Sequence, residues 1–117
     1  MRLNEVQFPE RPPIDGYGPG FFRIAGERHE GGVALTPSGV IAWNGLEDLD
    51  PLIARAGEID VLLIGMGAEI APLPPAARTV LEDAGIGVET MSSPAACRSY
   101  NVLLAEGRRV AAAVLPV

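Results

Sequence analysis

Lysine is absent from this chain: the nine basic side chains are all arginine, set against 15 acidic residues for a net charge of −6. The arginines are scattered and form no basic tract. Nothing here would neutralise a run of phosphates, which excludes nucleic acid as a partner. Cysteine occurs once, as Cys97, and histidine once, as His29. One cysteine excludes an internal disulfide and any cysteine-rich zinc site, and a lone imidazole leaves a metal little to bind, so neither metal nor cofactor is expected. The opening "MRLNEVQFPE" carries acids and no apolar run, unlike a secretory leader. No apolar stretch approaches the roughly 18 residues that a membrane span requires, so no membrane insertion is expected. A reducing, cytoplasm-like compartment follows as the default.

What is present is globular. Hydrophobic residues make up 48% of the 117 and charged residues 21%, values of a chain able to bury a core, and the whole of 1–117 is expected as one domain. The pattern changes near residue 48. Before it, "PPIDGYGPG" reads as a Pro/Gly-rich loop, and "FFRIA", "GERHEGG", "VALT", "PSG" and "VIAW" read as three short strands joined by tight turns. They predict an antiparallel meander over roughly 20–43 within an antiparallel region spanning residues 1–47, with the first dozen residues a further edge strand or an arm.

From 48 to 117 the grammar is βαβαβ. Asp50 reads as a helix cap ahead of Pro51, with Leu49, Leu52, Ile53 and Ala56 on one stripe. "IDVLLIG" is a continuous apolar run of the kind buried on both faces. "PPAARTVLEDAG" is a second helix with Ala77, Val80, Leu81 and Ala84 on its inner face. "IGVETM" follows as a strand, 94–105 as a helix and "RVAAAVLPV" as a closing strand. Right-handed crossovers then predict a single α/β domain: a mostly parallel sheet with helices packed on its faces and the antiparallel meander as an N-terminal extension.

Two stretches carry chemistry. "GMGAEIAPLPP" (65–75) holds a Gly-x-Gly, but Ile70 replaces the third glycine of a dinucleotide fingerprint and prolines delay the helix, so the Rossmann reading fails. It reads as a long turn at the C-terminal end of a central strand, placed to wall a pocket. In "MSSPAACRSYN" (91–101), Ser93 reads as the helix cap and Pro94 as the first helical residue. The helix head, the hydroxyls of Ser92 and Ser93 and the fork of Arg98 make a candidate site for a carboxylate or phosphate. The alternative is an ordinary helix start with Arg98 solvated or paired to Glu69. Cys97, with Tyr100 and Asn101 on its face, lacks a nearby base and reads as core rather than nucleophile. Acid groups at Glu47, Asp48, Asp50, Glu82 and Asp83 read as caps and solvated faces. No catalytic residue is assigned.

The body of the chain, most specifically "AACRSYN" with "LLAEGRRV", supported by "GYGPG" and "GVIAW", resembles a small family of uncharacterised bacterial and archaeal domains. Its eukaryotic relatives include the mitochondrial complex I assembly factor three. The resemblance implies a three-layer α/β fold with a mixed sheet and, for the mitochondrial relatives, a protein-partner role in building the NADH:ubiquinone oxidoreductase. It brings no reaction. It places a family cleft at Gly65, Gly67, Cys97, Arg98 and Tyr100. Without an Arg/Ser-rich leader, this chain reads as a bacterial, cytoplasmic version.

The expected function is therefore a non-enzymatic accessory protein, with NADH dehydrogenase subunits or other assembly factors as partners. Its expected partner surface lies at Phe21, Phe22 and Trp43. The alternative is a small-molecule binder or minor enzyme using the Cys97–Arg98 helix start. A third expectation is self-association through exposed N-terminal strands.

Overall fold

The structure, a computed structural model, describes residues 11–117. The edge strand or arm expected of the first dozen residues lies, apart from Arg11 and Pro12, outside them. Turn-punctuated strands β1 (Ile14–Gly18), β2 (Phe21–Ile24) and β3 (Glu27–Glu30) pair antiparallel in the order β1-β2-β3. A second hairpin, β4 (Val33–Thr36) and β5 (Gly39–Ala42), follows. Next come α1 (Asp50–Ile53), a 3-10 turn at Ala56–Glu58, β6 (Val61–Gly65), α2 (Pro75–Asp83), β7 (Gly87–Met91), α3 (Ser93–Ala105) and β8 (Val110–Val114).

The expected single meander of three strands is thus two separate units, and the stretches read as loop and turn, "PPIDGYGPG" and "GERHEGG", hold the strands β1 and β3. The break falls at Gly31-Gly32, where the chain closes tightly: a Cβ on Gly32 would stand 2.5 Å from the Trp43 carbonyl oxygen. No side chain fits there, and past this point the hairpin β4–β5 belongs to the large sheet.

The large sheet has the order β5-β4-β8-β6-β7. Its β6 pairs parallel with both β7 and β8, as a βαβαβ series requires. Its β8, however, pairs antiparallel with β4, and β4 antiparallel with β5. The expectation of a mostly parallel sheet is overturned: with β1-β2-β3 included, antiparallel pairings outnumber parallel ones. The closing strand is in fact the central one. All five residues of Val110–Val114 are buried, and the small side chains of Ala111, Ala112 and Ala113 let layers approach from both sides. Such a strand needs a neighbour on each edge, and the upstream hairpin supplies the second.

Three layers result. On one face Leu62, Ile64, Ala111 and Ala113 pack against Leu52 of α1 and Ala77 and Leu81 of α2. On the other, Leu63, Ala112 and Val114 pack against Ala96, Cys97 and Tyr100 of α3 and against Phe22 and Ile24 of the small sheet. Each large side chain so buried contributes about 1.5–3 kcal/mol. Asn101, on the inner face of α3, grips β1 with both ends of its amide. Its Nδ2 donates to the Ile14 carbonyl at 2.9 Å, and its Oδ1 accepts from the Ile14 N–H at 2.8 Å.

Helix starts differ from expectation by one residue. Leu49, not Asp50, stands at the cap position of α1, without a side-chain cap. Ser92, not Ser93, caps α3, its Oγ accepting from the Ala95 N–H at 3.3 Å. On α2, Val80 is 45% exposed rather than on the inner face. Among the described residues, no helix is long and apolar enough to cross a membrane, and no three His, Cys, Asp or Glu side chains gather as metal ligands.

Candidate functional site at the head of the third helix

The centre of this region is Ser93, fully buried. Released from capping by Ser92, its hydroxyl turns inward. It donates to the Leu115 carbonyl at 2.5 Å and accepts from the Gly67 N–H at 3.0 Å, while the Ser93 N–H donates to the Gly67 carbonyl at 2.7 Å. Gly65 closes the joint from below: a Cβ there would lie 2.7 Å from Ser93 Oγ and 2.8 Å from both Ser93 Cα and Val114 Cγ1. The loop after β6, the head of α3 and the end of β8 are fastened directly to one another. Gly65, Gly67 and Ser93 fill the space between loop and helix rather than lining an opening.

The other residues of the expected site are divided by the helix itself, which turns about 100° per residue. Cys97 and Tyr100 point into the core, 4% and 1% exposed. Burial pushes the Cys97 thiol up to about 11 against the opposing pull of Arg98, and burial likewise raises Tyr100 against the opposing influence of Arg11. A thiol with a pKa of about 11 is roughly a thousandth thiolate at pH 8. Maleimide labelling of the folded chain at that pH is therefore expected to run more than about 100-fold slower than in guanidinium, where an ordinary thiol titrates near ~8.5. Equal rates in the two conditions would make Cys97 an accessible, activated thiol.

Arg98 faces the opposite way. It is exposed and, among the described residues, makes no ion pair, with Glu69 or any other acid. It stands at an open cleft of about 380 Å³ together with Leu63, Glu89, Ser99, Val102 and Leu103. Of the expected residues, only Arg98 reaches this cleft. Glu89 and Val102, 57% exposed, belong to it and were not singled out in the sequence. The signal for Val102 was its place four residues beyond Arg98, on the same helical face.

The expected partner surface also divides. Phe22 is fully buried, and Trp43 is 2% exposed with its indole N–H donating to the Asp48 carbonyl at 2.9 Å. Both are core residues, and neither presents a surface. Phe21 alone is half-buried at the outer face of the small sheet, lying over Gly18 with the Arg28 guanidinium 4.0 Å from its ring centroid.

These features define a three-layer α/β domain with a mixed five-stranded sheet and a helix head built as a structural joint. Residues 14–115 match the family described as Protein of unknown function (DUF498/DUF598), and the chain belongs to that family. An uncharacterized protein of Rhodobacter capsulatus is 52% identical over 117 residues, all of this chain and 94% of its own. The NADH dehydrogenase [ubiquinone] 1 alpha subcomplex assembly factor 3 of Mus musculus is 31% identical over 99% of this chain, which spans 66% of that relative's length. The crystal structure of a Bartonella henselae protein, described as an outer membrane protein, superposes with a TM-score of 0.86 at 44% identity, covering 95% of this chain and 99% of its own. The resemblance carried by "AACRSYN" and "LLAEGRRV" therefore holds across the fold.

Proposed function

We infer that this chain is a non-enzymatic accessory protein that acts through contacts with other proteins in the bacterial cytoplasm. Its task on this reading is to assist assembly of the respiratory NADH dehydrogenase. The observation that supports this is similarity to assembly factor 3 along 99% of the chain rather than at a local motif. The geometry is in keeping with it: Ser93, Cys97 and Tyr100 are committed to the core, and the polar groups left at the surface near α3 suit recognition.

Affinity capture of the tagged chain from its own cells, followed by mass spectrometry, tests the reading. NADH dehydrogenase subunits or their assembly factors are expected to be enriched over a tag-only control. Their absence, with the tagged chain folded and expressed, would overturn the link to that complex.

A further inference from the structure

Among the described residues, no strand pairs with the outer edge of the large sheet at β7. The Gly87 N–H donates to the Asp60 carbonyl and the Met91 carbonyl accepts from the Met66 N–H, so Gly87, Glu89 and Met91 direct their backbone groups at β6. In a strand the alternate residues then turn theirs the other way. Val88 and Thr90 present N–H and C=O groups at the outer edge. Among the described residues one of these four is covered: Arg78 of α2 reaches across to the Val88 carbonyl, at a long 3.4 Å.

Beside this edge lies the Arg98 cleft. Its floor is Leu63, its helix wall is Val102 and Leu103, and Glu89 rises on the strand side. An exposed valine and a cation without an ion pair among the described residues therefore share a cleft with β7, the strand that carries the outward backbone groups.

We propose that β7 and the cleft beneath α3 form a docking site for an extended segment of a partner protein, which adds as a further strand to the sheet. Backbone hydrogen bonds to Val88 and Thr90 would hold the segment, and its alternate side chains would fall on the α3 side. There an apolar residue fits over Leu63 and Val102, and an acidic residue pairs with Arg98. Glu89 argues against a second copy as the occupant. When two copies of β7 pair antiparallel with Val88 opposite Thr90, each Glu89 faces its twin, and like charges directly opposite are unfavourable. A foreign segment without an acid at that position meets no such penalty. The proposal rests on the reading of the chain as one that acts through protein contacts, and it names the surface.

The test is selection from a displayed library of random ten-residue peptides on the folded chain, followed by fluorescence-polarisation titration of an enriched peptide. Thr90→Pro removes an outward N–H without touching the ladder to β6, and proline is tolerated on edge strands. Arg98→Glu reverses the exposed charge. Enriched peptides are expected to carry an acidic residue beside alternating apolar ones. Each variant is expected to weaken binding roughly tenfold or more, as loss of one charge-assisted or backbone hydrogen bond does. Changing the peptide's acid to lysine is expected to restore binding to Arg98→Glu, a reciprocal rescue that damage to the fold cannot mimic.

Failure to enrich any peptide, or binding unchanged in Thr90→Pro, would overturn the site. So would a concentration-dependent dimer abolished by Thr90→Pro, which would assign the edge to a second copy. Capture of respiratory subunits that persists in both variants would leave the assembly role standing and remove this surface from it.

Discussion

Ser93→Ala is expected to lower the stability of the fold by about 2–4 kcal/mol, while Ser92→Ala costs only ~1 kcal/mol. The two serines are adjacent and chemically identical, and the difference is where each hydroxyl goes. Ser92 caps a helix at its solvent-facing end, where water replaces much of what is lost. Ser93 is fully buried and serves two backbone partners at once, the Gly67 N–H and the Leu115 carbonyl. Removing the hydroxyl leaves a buried donor and a half-buried acceptor unmatched, each at ~1–3 kcal/mol. Guanidinium denaturation of both variants reads the difference as a displacement of the midpoint at constant slope. Equal displacements would show that the joint between loop, helix head and β8 is not what Ser93 provides.

Phe22→Ala is expected to be the most damaging single truncation in the small sheet, at about 3–5 kcal/mol, against under ~1 kcal/mol for Phe21→Ala. Phe22 is fully buried in the cluster that joins the small sheet to Tyr100, Leu63 and Val114. Phe21, one residue earlier, faces out beneath Arg28, and its cation–π contact is partly solvated. Thermal and denaturant melts of the pair check the order. If Phe21→Ala proved the costlier change, the assignment of faces on β2 would be reversed. Any loss of partner binding in Phe22→Ala then reads as loss of the fold, which makes it a poor probe of function and Arg98→Glu a good one.

Much of the fold was legible along the chain. The apolar run "VLLIG" is β6, buried from Leu62 to Gly65, and the helix expected at 94–105 is observed at Ser93–Ala105. Gly/Pro punctuation located β2, β4 and β5 but hid β1 and β3, whose sequences IDGYG and ERHE carry no apolar run. These features are local: the period of apolar residues follows from which face of an element is covered, and turn residues follow from the backbone angles a turn needs. The candidate site was less legible. "SSPAACRSYN" is contiguous in sequence, but the helix sends Cys97 and Tyr100 to the core, Arg98 to the surface and Ser93 down to the Gly67 loop. The cleft that Arg98 does border needs Glu89 from β7, nine residues away in the chain and on a different element.

The amino-acid pattern alone determined the α/β class and the kinds of element from β4 onward, while the resemblance supplied the three layers and the family. It did so because burial on one face or two leaves a period in the side chains. The tertiary structure decided that β8 is the central strand, that the β4–β5 hairpin docks antiparallel against it and that β7 is the edge strand among the described residues. Strand order is set by which backbone edges meet, and a backbone edge is the same for every residue but proline. No side-chain period records it until the layers have closed.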